Sequence, residues 1–221
     1  MNTACAVTGC HSPPSGYSPL CERHKKALRR HGHPQQQGVL VHELQPFKAR
    51  IEARKARNPE SPVWDILEQR WDAVKANAQK MLRSAAAGKA YNSDDLKAAN
   101  HIAQLGKTTA PRAVADTALA MFLMLEDSPQ RFRSDKAFSY QLARRVHALT
   151  DMHAGTYWDA ERNKIKRVYR DMTPATIERL SEPLRAAFGV AGVYLAELDR
   201  KDAKAKDAKR LELMEALKGL K

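Results

Sequence analysis

Residues 61–81 read SPVWDILEQRWDAVKANAQKM. Ser61 is a natural N-cap and Pro62 a natural first helical residue, because a cap hydroxyl accepts a free backbone N–H and proline has none to lose. Behind them Trp64, Leu67, Trp71, Val74, Ala78 and Met81 recur every three or four residues, the period that lines one face of an α-helix. The stretch therefore reads as a long amphipathic helix that has to bury its apolar stripe against other elements. Both tryptophans sit on that stripe, which assigns them to core packing ahead of stacking on nucleobases.

The same grammar repeats toward the C-terminus. A second helix is expected from Ser93, with Asp94 and Asp95 in its first turn and Gly106 as its end. Residues 111–125 are apolar on nearly every face, through Val114, Leu119, Phe122 and Leu125, so this helix belongs at the centre of a bundle. Residues 134–149 bury Phe138, Leu142, Val146 and Leu149 and turn Lys136, Arg144 and Arg145 outward. Thr173 and Pro174 repeat the cap-and-proline signal and open a helix with Ile177, Leu180, Leu184 and Phe188 on one side. Gly189 and Gly192 either break it or let a neighbouring helix come close. The last twenty residues carry a thin stripe of Leu211, Met214 and Leu217 among Lys, Ala and Asp, the pattern of a frayed, solvated terminal helix. No strand-like alternation of useful length and no internal repeat are evident.

The chain has 221 residues and a net charge of +13, from 38 Lys and Arg against 25 Asp and Glu. That imbalance favours polyanionic partners. The most apolar run, residues 118–125, is far shorter than the roughly 20 residues needed to span a bilayer, so no membrane partner is expected. No basic segment followed by an apolar one opens the chain, so a cytoplasmic, reducing setting is expected, where cysteines hold metal rather than form disulfides.

All three cysteines are confined to the N-terminal segment, in the pattern Cys5-x4-Cys10-x10-Cys21-x2-His24. Two short-spaced pairs separated by a loop supply the four soft or borderline donors of a tetrahedral zinc ion. Gly9 permits the tight turn before Cys10, and Pro13, Pro14, Gly16 and Pro19 suit a compact loop without regular structure. His11 is the rival fourth ligand, but it abuts Cys10, where neighbouring side chains rarely converge on one ion. Four protein ligands leave no open position, so the Zn2+ is expected to be structural, and folding of so small a segment depends on it. The fold class expected is all-α: a multi-helix bundle with a small N-terminal zinc-binding module. Its divisions are the module at 1–36, a basic linker or short helix at 37–60, a helical domain at 61–200 and a charged helix or tail at 201–221.

The cysteine pair, the loop ending at Leu20, the run Cys21-Glu22-Arg23-His24 and the basic helix closing on Arg29-Arg30-His31-Gly32-His33-Pro34 together carry a resemblance. Residues 1–36 resemble the short zinc modules of bacteriophage and mobile-element proteins, which often stand beside endonuclease or other DNA-binding segments. The resemblance implies a phage or bacterial setting, host cytoplasm if phage-encoded, and DNA ahead of RNA as partner. The His-Asn-His constellation of the nucleases that accompany such modules is missing from this sequence.

Candidate phosphate contacts are Arg23, Lys25, Lys26, Arg29 and Arg30 behind the module, and Lys164, Lys166, Arg167 and Arg170 within 157–172, since lysine and arginine displace counterions condensed on nucleic acid. Gly106-Lys107-Thr108 imitates the end of a phosphate-binding loop, but His101 stands where its first glycine belongs. His147, Asp151, His153 and Asp159 cluster in sequence without metal-ligand spacing, so capping or surface roles are expected of them. No catalytic motif supports an enzyme. The leading reading is a zinc-containing nucleic-acid-binding accessory protein; the rival is a phage-encoded factor that binds a host protein complex, with zinc purely structural.

Overall fold

The structure is a computed structural model that describes residues 4–150, 154–161, 163–169 and 171–218. Its elements are α1 (Glu22–His31), α2 (Val41–Arg57), α3 (Val63–Ala86), α4 (Ser93–Thr108), α5 (Pro111–Asp127), a 3-10 turn (Pro129–Arg131), α6 (Asp135–His147), β1 (Ala154–Asp159), β2 (Lys164–Tyr169) and α7 (Pro174–Lys218). Helix accounts for 72% of the chain, so the bundle class read from the periodicity holds. No helix among the described residues is long and apolar enough to cross a membrane.

Helix α5 is the axis of the bundle. Its residues from Val114 to Met124 are buried apart from Asp116, and α2, α3, α6 and α7 all pack on it. On α3 the stripe Trp64, Leu67, Trp71 and Ala78 is buried. Trp71 is wholly enclosed, which leaves no ring face for a base. Capping follows local chemistry: Asn92 accepts from the Asp94 amide at 2.8 Å, and Ser134 accepts from the Ala137 amide at 3.1 Å, each satisfying one orphan N–H of a first turn.

Two glycines act through space rather than as helix ends. Gly106, read as a terminator, lies inside α4, which runs on to Thr108; a β-carbon there would come within 2.5 Å of Lys75 Cδ on α3. At Gly192 the added carbon would meet Phe122 Cβ at 2.3 Å. Helix α7 is therefore unbroken, and its missing side chain is the seat of a phenylalanine from α5. The last turns of α7 are helical to Lys218, with Leu211, Leu213 and Met214 exposed.

One segment departs from the all-helical expectation. Residues 154–169 form an antiparallel hairpin, with Tyr157 opposite Lys166 and Asp159 opposite Lys164. Thr156, Tyr157, Trp158, Ile165, Val168 and Tyr169 are β-branched or aromatic residues that favour a pleated surface, and Asn163 takes φ 48° in the turn, a conformation asparagine tolerates.

Helix α2 turns the basic segment 48–57 into scaffold. Arg54 bonds Asp199 at 2.7 Å and Asp202 at 2.8 Å, Arg50 bonds Asp199 at 2.5 Å and also Asp127, and Lys55 reaches Asp116 at 2.6 Å. The glutamine run ahead of α2 is equally fixed. Gln36 is buried, donates to the Arg131 carbonyl at 3.3 Å and accepts from the Arg133 amide at 3.0 Å. Arg131 in turn bonds the Gly38 carbonyl at 2.9 Å and the Glu43 carboxylate at 2.8 Å, tying this strap to the 3-10 turn.

Candidate metal centre

The N-terminal segment folds around its own turns. The Cys10 amide donates to the Val7 carbonyl at 3.0 Å with Gly9 at φ +77°, and the amides of Cys5 and Ala6 donate to Ser12 and Pro19 at 3.0 and 2.9 Å. These bonds return the chain to Cys21, the residue before α1, and one helical turn later His24 enters the same point. The ligand atoms of Cys5, Cys10, Cys21 and His24 all lie within 4.8 Å of one another. Among the described residues only Val7 and Leu20 join the cysteines in a small apolar cluster, too little to hold the segment without a further tie.

A tetrahedral ion bonded at about 2.3 Å to sulfur and about 2.05 Å to nitrogen has sulfur–sulfur edges of about 3.8 Å and sulfur–nitrogen edges of about 3.6 Å. Cys10 Sγ and Cys21 Sγ are 3.8 Å apart, and His24 Nδ1 is 3.4 Å from both Cys5 Sγ and Cys21 Sγ. A disulfide would draw two sulfurs to about 2.05 Å. The three thiols are free, so the arrangement is a Cys3His cluster that could hold a metal ion, with a donor set that fits zinc. The Cys21 amide donates to Cys5 Sγ at 3.3 Å, which fixes the position of that sulfur. Hydrogen bonding from the Ser12 backbone lowers the Cys10 thiol pKa. His11 is exposed and stands outside the cluster.

His24 uses Nδ1 toward the sulfurs, so a bound metal puts the ring proton on Nε2. Arg23 lies 3.3 Å from that nitrogen. In the metal-bound form both groups are donors, and the Arg23 guanidinium is left without this acceptor.

The cations nominated for phosphate contact fall into separate groups. Arg23, Lys25, Lys26 and Arg29 are exposed on α1. Lys26 pairs with Glu22 at 3.6 Å, while Arg23, Lys25 and Arg29 make no ion pair among the described residues. Arg30 instead bonds Asp171 at 3.0 Å, an aspartate it shares with Arg144 at 3.3 Å, and so fastens the module to the body. Lys164 is exposed in β2, and Lys166 and Arg167 sit in the same strand opposite Tyr157 and Thr156. These three belong to a β-hairpin, in a chain where no strand-like alternation of useful length was expected. Arg170 lies outside the described residues.

Fold contacts also place a pair that spacing did not reveal. His147 Nε2 is 3.0 Å from His101 Nδ1, the rings meeting edge to face; the two stand on α6 and α4, with no local motif to join them. Asp159 is buried at the end of β1, and Asp151 and His153 lie outside the described residues. Lys107 and Thr108 form the last turn of α4, where Thr108 donates to the Gln104 carbonyl at 3.2 Å, so the glycine-lysine-threonine run is a helix end. Comparison of the chain with protein-family models, with curated proteins and with solved structures gave no match.

Proposed function

We propose that this protein is a zinc-containing nucleic-acid-binding accessory protein of phage or bacterial origin, with DNA preferred to RNA. The observation that carries the reading is the arrangement of α1. Its start is anchored in the Cys3His cluster and its end is docked on α6, yet Arg23, Lys25 and Arg29 remain exposed and without an ion pair among the described residues. On α2, by contrast, Arg50, Arg54 and Lys55 are matched by carboxylates. A rigid helix carrying uncompensated cations suits a polyphosphate surface, where each contact releases a counterion. The zinc ion organises the helix and takes no part in chemistry, because all four of its positions belong to the protein.

A second reading has its own support. Beyond Asp202 the exposed Leu211 and Met214 of α7, three residues apart on one face, suit a protein partner, such as a host complex that the protein would modulate. Affinity for labelled duplex DNA, single-stranded DNA and RNA at low salt, before and after removal of the metal by a chelator, separates the two. Duplex binding that disappears with the metal supports the nucleic-acid reading. Absence of binding to all three by the metal-loaded protein rejects it in favour of the protein partner.

A further inference from the structure

Helices α3, α4 and α7 pack on one another, but they do not close completely. Where they meet, the buried side chains include Ala78 of α3 and Ala98 and Ala99 of α4, each a single methyl group. The space these leave is a cavity of about 250 Å3, walled by Val74, Met81 and Ile102 and reached from α7 by Pro183. A cavity of roughly 150 Å3 already admits a benzene ring, so this one has room for an aromatic ring with a short chain attached. Its walls are apolar, and the Met81 thioether offers the polarisable contact that sulfur makes with aromatic rings.

The rim is charged, with a sign opposite to that of the chain. Asp95, Arg179 and Glu182 all line the cavity, and the Arg179 guanidinium stands 3.0 Å from Asp95 and 3.8 Å from Glu182. Two carboxylates thus share one cation, in a protein whose net charge is +13. The closer bond uses Asp95 Oδ1, which leaves Oδ2 and the loosely held Glu182 as acceptors. Pro183 supplies another: it stands inside α7 with no N–H for the Arg179 carbonyl, the acceptor four residues back.

We propose that the cavity between α3, α4 and α7 is a binding site for a small arylalkylamine, its ring against the alanines and Met81 and its ammonium at the rim beside Asp95 and Glu182. An apolar pocket with a few convergent polar groups is the usual form of a small-molecule site. The three donors of an ammonium suit these acceptors, and its charge balances the surplus carboxylate. A carboxylate ligand would meet two like charges at the same rim. The site is independent of α1 and of the metal.

The test titrates the full chain at neutral pH with phenethylamine, and with phenethyl alcohol and phenylacetate as its neutral and anionic counterparts. Calorimetry reads affinity, and the methyl resonance of Met81 reports whether the ligand occupies this cavity. Phenethylamine should shift that resonance and saturate with a dissociation constant of roughly a millimolar or below, as a ligand of its size allows; the alcohol should bind more weakly and phenylacetate not at all. Ala99→Leu fills the cavity and should abolish binding. Where that variant folds poorly, Glu182→Gln, at a side chain 68% exposed, keeps the fold and should weaken the amine by roughly twofold to fivefold, the scale of an exposed ion pair, without changing the affinity for the alcohol. No binding up to about ten millimolar amine, equal or tighter binding of phenylacetate, or a Met81 resonance unmoved at saturation overturns the site.

Discussion

Gly32, at the end of α1, closes directly on Tyr140 of α6: a β-carbon there would stand 3.1 Å from the Tyr140 Cγ and 3.1 Å from the Lys136 carbonyl oxygen. The residue also holds φ +77°, which side-chain-bearing residues adopt only with strain. Gly32→Ala therefore meets two obstacles at the same place, and a loss of about 1–3 kcal/mol is expected. Metal content should stay unchanged, since the ligands are a full helix away. Thermal denaturation with parallel metal analysis checks this; an unaltered melting temperature would mean that the module does not dock on α6 at Gly32.

His31 stands beside that contact as a neutral ring. Gln141 accepts from the Val39 amide at 2.9 Å through Oε1, so its Nε2 is left to donate to His31 Nδ1 at 3.1 Å. Burial, with Arg144 and Arg30 adding to it against Asp171, lowers the histidine pKa from 6.5 to about 4. A depressed histidine contributes stability that is complete above the unfolded value of 6.5 and is lost as pH falls toward about 4. The imidazole resonances of His31 should show no protonation between pH 7 and 5, roughly the interval in which a free histidine titrates. A midpoint near the ordinary value would show that Gln141 does not hold the neutral form.

Cys21→Ser removes a buried ligand from a segment whose apolar cluster is only Val7 and Leu20 with the cysteines. The purified wild type should carry one zinc per chain and the variant close to none. Most far-UV helicity should remain, because α2 to α7 rest on the core around α5. Collapse of the whole spectrum would show that the body cannot fold without the module.

The legible parts of the sequence were those in which one local period decides. The α3 stripe, the apolar α5 and the four metal ligands all declare themselves within a few turns of chain, and the structure places them accordingly. What escaped depends on distant partners. Gly106 resembles a helix end until Lys75 of α3 is seen packed against it, whereas at Gly192 the close approach, one of its two readings, is made by Phe122. The segment read as a basic linker or short helix is part of the scaffold, because its partners Asp199 and Asp202 lie some 150 residues away in sequence. The hairpin was missed because each strand has six residues, too short for its alternation to stand out among charged positions.

Asp199 carries more of α7 than its exposed neighbours do. Its carboxylate meets both Arg50 and Arg54 with a side chain 18% exposed, so Asp199→Ala removes the group they share and leaves Arg50 to Asp127 and Arg54 to Asp202. A loss of about 1–3 kcal/mol is expected, below what an unpaired buried charge costs. Asp202→Ala, whose side chain is 41% exposed, should cost less than about 1 kcal/mol. Chemical denaturation of both variants checks the order, and a larger effect at Asp202 would contradict it.

The salt dependence of duplex DNA binding, compared between wild type and Lys25→Gln/Arg29→Gln, tests the central reading most directly. These two cations stand one turn apart on the exposed face of α1, and unlike Arg30 neither supports the docking of the module. The double variant should keep its metal and its melting temperature, bind less tightly, and show a slope of log affinity against log salt shallower by up to about 1.8, at about 0.9 for each lost phosphate contact. Identical affinity and slope in the two proteins would contradict the assignment of α1 as the nucleic-acid surface.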